Sequence, residues 1–303
     1  MINGIINVYK EKGYTSHDVV ARLRGILHQK KIGHTGTLDP NAEGVLPVCL
    51  GKGTKLCDML TDTDKEYRAV IRLGVKTDTQ DITGTVIEKR EVNADISEEK
   101  ITEVIMSFVG EYMQIPPMYS ALKVDGKRLY ELARQGKEVE RKARKVFITH
   151  IVIEEINVPF ITMTVGCSKG TYIRTLCQDI GEKLGTLACM ESLIRTKAGF
   201  YKLENSLKLY EIEQLREAGE LSSIVKSVDS CFSDYSAVYI SEECNRLVYN
   251  GNAFLKEHIV KSDVDDYVEG LYRVYDSYEK FIGVYRLNSK GMFKVEKFFM
   301  ETE

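Results

Sequence analysis

Short apolar segments of period two and of period 3.6 alternate irregularly along the first 230 residues, and this limits the fold more than any other feature. Ile5-Ile6-Asn7-Val8-Tyr9 predicts a strand, and "SHDVVARLRGIL" a helix with Ser16 as its cap and Val19, Val20, Leu23, Ile26 and Leu27 on one face. "VLPVCL", "EYRAVIRLG", "TVIEKREV", "KVFITHIVIEEI" and "FITMTVGCS" predict strands. "SEEKITEVIMSFVGEYMQ", capped by Ser97, and "TYIRTLCQDIGEKLG", stopped by Gly185, predict helices. No regular βαβ repeat emerges, so an α+β fold with a mixed or antiparallel sheet and flanking helices is expected rather than a doubly wound one. Composition changes near residue 230. Beyond it, short β-rich runs separated by Gly, Asn, Asp and Ser predict a small β-barrel or sandwich. The expected domains are therefore 1–232 and 236–303.

Several function classes are disfavoured. No apolar run approaches the roughly 18 residues of a membrane span, and the N-terminus lacks a signal-peptide core. The seven cysteines are scattered without a C-x-x-C, which fits a reducing cytoplasm, and the five histidines show no metal-ligand spacing. No metal site is expected. "LGKGTK" fails as a phosphate loop because Gly53, not Ser or Thr, follows Lys52. No dinucleotide fingerprint and no G-x-S-x-G elbow occur.

Charge is unevenly placed. Residues 211–303 carry 11 Lys/Arg and 18 Asp/Glu, a net of −7, so with −3 for the whole chain residues 1–210 carry +4. Within them "ALKVDGKRLYELARQGKEVERKARK" (121–145) has 9 basic and 4 acidic residues, +5. A basic arm on an otherwise acidic chain is the footprint of nucleic-acid binding, although a solvated helical face has the same composition.

"GHTGTLDP" (33–40) then holds one carboxylate, Asp39, in a Gly-punctuated loop before a buried strand. Asp39 to Gly44 can be one capped helical turn, with Asp39 as cap and Pro40 at the first helical position. His34 and Thr35 are polar groups that a cap does not need. "SKGTYIR" joins a strand to a helix whose N-terminal amides, with Lys169, could hold a phosphate. Tyr172 and Arg174 open that helix; Tyr67 and Arg68 start a strand and face opposite sides of a sheet. Arg174 could pair with Asp39 and keep it ionised and aimed. Aromatic platforms beside positive charge suit an unstacked RNA base.

"GHTGTLDPNAEGVLPVCLGKGTK", "KEYRAVIRLGVKTDTQDITG", "PPMYSALKVDGKRLYELAR" and "SKGTYIRTLCQDIGEKLG" closely resemble, in order, the bacterial TruB family of tRNA pseudouridine-55 synthases. The resemblance covers roughly the first 200 residues, and four collinear motifs are specific where one would be weak. It implies a pseudouridine-synthase-like catalytic domain, a PUA-like C-terminal domain, and the isomerisation of a T-loop uridine of tRNA without a cofactor. It implies Asp39 as the essential carboxylate. Tyr67 would stack on the flipped base and take the C5 proton, and Arg174 would pair with Asp39. Tyr172 and Leu193 would line the pocket, His34 would hold flipped nucleotides, and Lys10 is the Lys of an N-terminal motif that meets the substrate. The basic arm would close over the T-arm. A cytoplasmic monomer is expected.

The sequence departs from the family at three points. Lys10-Glu11-Lys12-Gly13 lacks the Pro usual in that turn, and Asn41 and Glu43 stand where Leu and Thr are common. The acidic C-terminal region is expected to add little to phosphate binding, so that deleting residues 236–303 should leave the salt dependence of tRNA binding nearly unchanged. The alternative is an RNA-binding or tRNA-folding factor with secondary or no catalysis. Against it stands the set Asp39, Tyr67 and Arg174, since a carboxylate has no use in binding phosphates.

Overall fold

The computed structural model describes all residues except 93–95, 125 and 301–303. Ten elements build the part that positions the site: β1 (Gly4–Lys10), α1 (Ser16–Leu27), β2 (Glu43–Leu50), β3 (Lys65–Leu73), α2 (Glu98–Met106), β4 (Gly110–Gln114), β5 (Arg144–Asn157), β6 (Phe160–Cys167), α3 (Ile173–Lys183) and β7 (Ala188–Ala198). Their strands form one sheet in the order β1-β2-β7-β3-β6-β5-β4, to which Ile32–His34 and Tyr201–Lys202 add at β2 and β7. All neighbours are antiparallel except β2 and β7, so the sheet is mixed.

Amphipathic patterns decide the packing. Ile173, Leu176, Cys177 and Ile180 of α3 and Ile101, Val104 and Ile105 of α2 are buried in one cluster with Ala69, Ile71, Met163 and Val165 of the central strands. Each fully buried Val or Leu contributes about 1.5–3 kcal/mol, so this face fixes α3 against the sheet. On β1 and β2, Val19, Val20, Leu23 and Leu27 of α1 cover Ile6, Val8, Leu46 and Val48.

Four local expectations change. The cap of α1 is Thr15, which forms a capping box with Asp18; Ser16 lies inside the helix and is buried. The helix after Ser97 ends at Met106, and residues 110–114 turn back as β4 through Gly110 at φ +103°. "TVIEKREV" is a strand only over Val86–Lys89. β7, not predicted at all, lies near the middle of the sheet. Register shifts at Met190/Ser192 and Arg195/Lys197 break the two-residue alternation that would reveal it.

Residues 121–145 leave the sheet as an arm. A two-stranded hairpin, Lys123–Val124 with Lys127–Arg128, leads into a short helix, Leu129–Arg134. The Arg128 and Arg134 guanidinium groups both lie over the Tyr130 ring, at 5.8 and 5.5 Å.

The C-terminal strands make a second sheet of six, ordered Phe254–Leu255, Met292–Phe298, Phe281–Leu287, Gly270–Tyr275, Ser236–Ile240 and Ile259–Ser262. It is a curled, open half-barrel of PUA-like form rather than a sandwich. The two sheets share a core in which Ile5, Cys49 and Leu56 meet Phe232, Val284 and Phe299.

Candidate active site

The Asp39 loop is fastened along its whole length. Thr35 gives both its N–H and its hydroxyl to the Pro47 carbonyl, at 3.1 and 3.2 Å. Buried Ser16 accepts the Leu38 N–H at 2.9 Å. The Ala42 N–H closes a tight turn on the Asp39 carbonyl at 3.1 Å, and β2 already begins at Glu43. The helical turn expected over 39–44 is therefore absent, and among the described residues no backbone N–H donates to the Asp39 side chain. Gly44 lies inside the strand at φ +103°, where an added Cβ would stand 2.3 Å from the Arg195 carbonyl oxygen. Only glycine lets β2 and β7 approach this closely.

Lys10 was expected among the substrate contacts, and the structure places it otherwise. It is fully buried, and its ammonium donates to the carbonyls of Ala42 (2.6 Å), Pro40 (3.2 Å) and Glu11 (3.3 Å). Its donors are spent on the loop that carries Asp39. Burial lowers its pKa to about 8, against the pull of Glu43 and Asp39. The turn without its usual Pro is held by the Gly13 N–H on the Pro40 carbonyl at 2.8 Å. The two exchanged positions also make contacts: Asn41 donates to Thr83 at 3.2 Å, and Glu43 accepts the Tyr9 hydroxyl at 3.2 Å.

Arg174, in the first turn of α3, is the joint of the site. Its Nε meets Asp39 at 3.0 Å, Nη1 donates to the Thr79 carbonyl at 3.0 Å, and Nη2 to the Tyr119 carbonyl at 2.8 Å. Asp81 lies 3.9 Å from Nη1 and is itself occupied by Thr79 and Thr83. Three loops thus converge on one guanidinium. The Arg174 side chain is 7% exposed and that of Asp39 41%, so the cation is sealed beneath a carboxylate that remains reachable. This is a carboxylate aimed outward by a dry cation, with its charge held in place before any substrate arrives.

Tyr67 on β3 is half-buried. Burial raises its pKa, the nearby Arg195 guanidinium opposes this, and the Asp39 charge adds to the rise. Tyr172 stands at the N-cap position of α3 without a side-chain cap bond; the Gln114 side-chain amide accepts its N–H at 2.8 Å and donates to its carbonyl at 2.9 Å. Burial raises the Tyr172 pKa too, while Arg174 lowers it and Asp39 raises it. Both phenols therefore lie within the field of Asp39. His34 accepts the Gly36 N–H on Nδ1 at 3.3 Å and meets His17 edge-on at 5.3 Å. Its pKa is lowered by burial first, then by His17 and Arg195. Leu193 is buried in the same cluster as Leu38 and Ala42. Lys169, expected beside a phosphate, is exposed and paired with Asp62 at 2.8 Å; the Tyr172 amide of that helix start is taken by Gln114.

Sequence reasoning missed Asp81, Gln114, Ser16 and Arg195. The first three are unremarkable polar residues whose partners come from distant segments. Arg195 lies on the unpredicted β7, 1% exposed, and no spacing marks it.

Residues 24–173 match the model of the TruB family pseudouridylate synthase N-terminal domain, and residues 174–233 that of the tRNA pseudouridylate synthase B C-terminal domain. Among curated proteins, the chain is 52% identical to tRNA pseudouridine synthase B of Lachnoclostridium phytofermentans over 95% of its own length and 96% of the relative's. It is 45% identical to the protein of that name from Clostridium novyi over 98% and 99%. Among solved structures, a chain of a Cbf5-Nop10-Gar1 complex aligns with TM-score 0.71 and 29% identity over 98% of this chain and 85% of that one. A chain of an H/ACA RNP bound to a substrate RNA aligns with TM-score 0.71 and 26% identity over the same shares. With Asp39 inside the first of these segments and its partner Arg174 opening the second, the chain belongs to the TruB family of pseudouridylate synthases.

Proposed function

We propose that the protein isomerises uridine to pseudouridine in tRNA, acting on the T-loop uridine at position 55, with Asp39 as the essential carboxylate. The observation that carries this reading is the Asp39–Arg174 pair, a solvent-reachable carboxylate fixed by a sealed cation. Hydrolysis of a glycosidic bond normally uses two carboxyl groups, one of them to activate water or protonate the leaving base. An isomerase keeps the base and adds no water, so one free carboxylate suffices. Arg174 positions Asp39. Tyr67 and Tyr172 receive the flipped base, with Leu193 and His34 at its sides, and their contacts offset the few kcal/mol that flipping costs. The arm of 121–145 takes the T-arm phosphates, helped by Lys169. The catalytic unit is 1–232 and the PUA-like unit 236–303. In this reading the protein works as a monomer on tRNA in the cytoplasm.

The test is tritium release from tRNA carrying 5-³H-uridine. Release by the natural protein and none by Asp39→Asn, with tRNA binding kept, is the expected result. Tight binding without release by the natural protein would make it a binding factor instead.

A further inference from the structure

The Arg195 guanidinium is fully enclosed and has no ion pair among the described residues. Its Nε donates to the Val45 carbonyl at 2.7 Å and its Nη2 to the Gly36 carbonyl at 3.3 Å, so it grips both the Asp39 loop and the strand that follows. Arg195 and Tyr67 stand directly opposite in the β7–β3 register, which sets the buried guanidinium beside the phenol, where its charge holds the Tyr67 pKa down against burial. A buried cation without a carboxylate is costly, and such groups are retained where their charge is used.

The cation beside the phenol has a chemical consequence. Arginine is a donor only, so toward Arg195 the Tyr67 oxygen can only accept, which leaves the phenol's own O–H for another acceptor. The reaction requires one proton to leave C5 and one to be gained at N1. Both atoms flank C6 of uracil, so a single oxygen at that edge can serve both. We infer that Arg195 is a positioning residue that makes Tyr67 a proton shuttle for the second half of the reaction. Once C5 has bonded to the sugar, the Tyr67 phenol gives its proton to N1. The resulting phenolate, held by Arg195, then removes the C5 hydrogen as a proton. The C5–H electron pair forms the C5–C6 double bond, the N1–C6 double-bond pair returns to N1, and Tyr67 ends as a phenol. No oxidant or added acid is needed. Burial opposes the phenolate, and Arg195 is the group that offsets this.

The inference rests on the synthase reading, and the experiment separates the two. Single-turnover conversion is measured on ordinary tRNA and on tRNA with 5-²H-uridine, for the natural protein, Arg195→Lys and Arg195→Met, together with tRNA affinity and thermal melting. No pseudouridine from the natural protein refutes the synthase reading itself. Losing a charge-assisted hydrogen bond to the phenolate is expected to slow Arg195→Met about 10- to 100-fold. Its C5-deuterium isotope effect should exceed that of the natural protein, because C5 deprotonation becomes limiting. Arg195→Lys, which keeps the charge, should fall between in both, and it carries the test if Arg195→Met melts early. Slowing without any rise in the isotope effect in the folded variants would mean that Arg195 only braces the Asp39 loop, and natural rates would mean that it does neither; both overturn the proposal.

Discussion

Arg174→Lys keeps the charge of the joint and removes its shape. The guanidinium serves Asp39, Thr79 and Tyr119 through three different nitrogens, at 3.0, 3.0 and 2.8 Å. A lysine presents one nitrogen at that depth and cannot stand within reach of all three acceptors. At least one carbonyl loses a charged donor, at a cost of about 1.5–3 kcal/mol. An ammonium settling toward the Thr79 and Tyr119 carbonyls leaves Asp39 unaimed. If that loss falls on the reactive complex, conversion slows about 10- to 100-fold. Binding of tRNA should change little, because the sealed cation touches protein groups and not phosphates. The assay is single-turnover tritium release with saturating enzyme, beside a filter-binding Kd and a melting curve. A rate within about threefold of the natural protein, less than a kcal/mol of barrier, would mean that charge alone orders the site. A weakened Kd with an unchanged saturated rate would move Arg174 from aiming Asp39 to binding RNA.

The depressed Lys10 pKa sets a pH dependence of stability. Between its folded value of about 8 and the usual unfolded lysine value of about 10.4, the unfolded chain holds a proton that the folded chain has released. Stability contributed at Lys10 therefore rises with pH, by about 2 kcal/mol from about pH 7 to about pH 9.5; urea titrations should show this increment in the natural protein and not in Lys10→Met. Gly44→Ala places a methyl group 2.3 Å from the Arg195 carbonyl at positive φ, and should cost about 2 kcal/mol or more by melting, unless β2 and β7 can part without strain. Because the two sheets share a core around Cys49, Phe232 and Phe299, the charge of the C-terminal unit is better tested in the whole chain than by deletion. Replacing Lys123, Lys127 and Arg128 by Gln should reduce the salt slope of tRNA binding by about 2–3, whereas replacing Lys256, Lys280 and Lys294 should leave it nearly unchanged; equal effects would contradict the acidic-region argument.

What the sequence made legible follows from distance along the chain. The α1 face and the alternation of β3 are local patterns, and both were read directly from the sequence. The shortened helix after Ser97 was not, because Gly110 reverses the chain only through its left-handed backbone, and the residues after it continue a plausible apolar pattern. β7 was hidden for the opposite reason: two bulges scramble its pattern, although its neighbours on both sides were evident. The pairing of Arg174 with Asp39 is legible only as complementary charge and through the TruB resemblance, because it spans most of the catalytic part and no spacing rule reaches so far. The lysines were hardest. Nothing local distinguishes Lys10, whose ammonium is sealed among carbonyls, from Lys169, which lies open beside Asp62.

That contrast bears on why one carboxylate can be enough. Lys10, Arg174 and Arg195 are all buried near the Asp39 loop, and backbone carbonyls supply most of their partners: Pro40 and Ala42, Thr79 and Tyr119, Gly36 and Val45. Had side-chain carboxylates balanced these cations, further acids would stand at the pocket, and an acid able to activate water is what a glycosidase needs. Asp81 is the nearest candidate, and its Oδ1 is already engaged by Thr79 and Thr83. Carbonyl partners hold the cations without adding a titratable group. They leave Asp39, its side chain 41% exposed against 14% for Asp81, as the reachable one of the two carboxylates on the Arg174 joint.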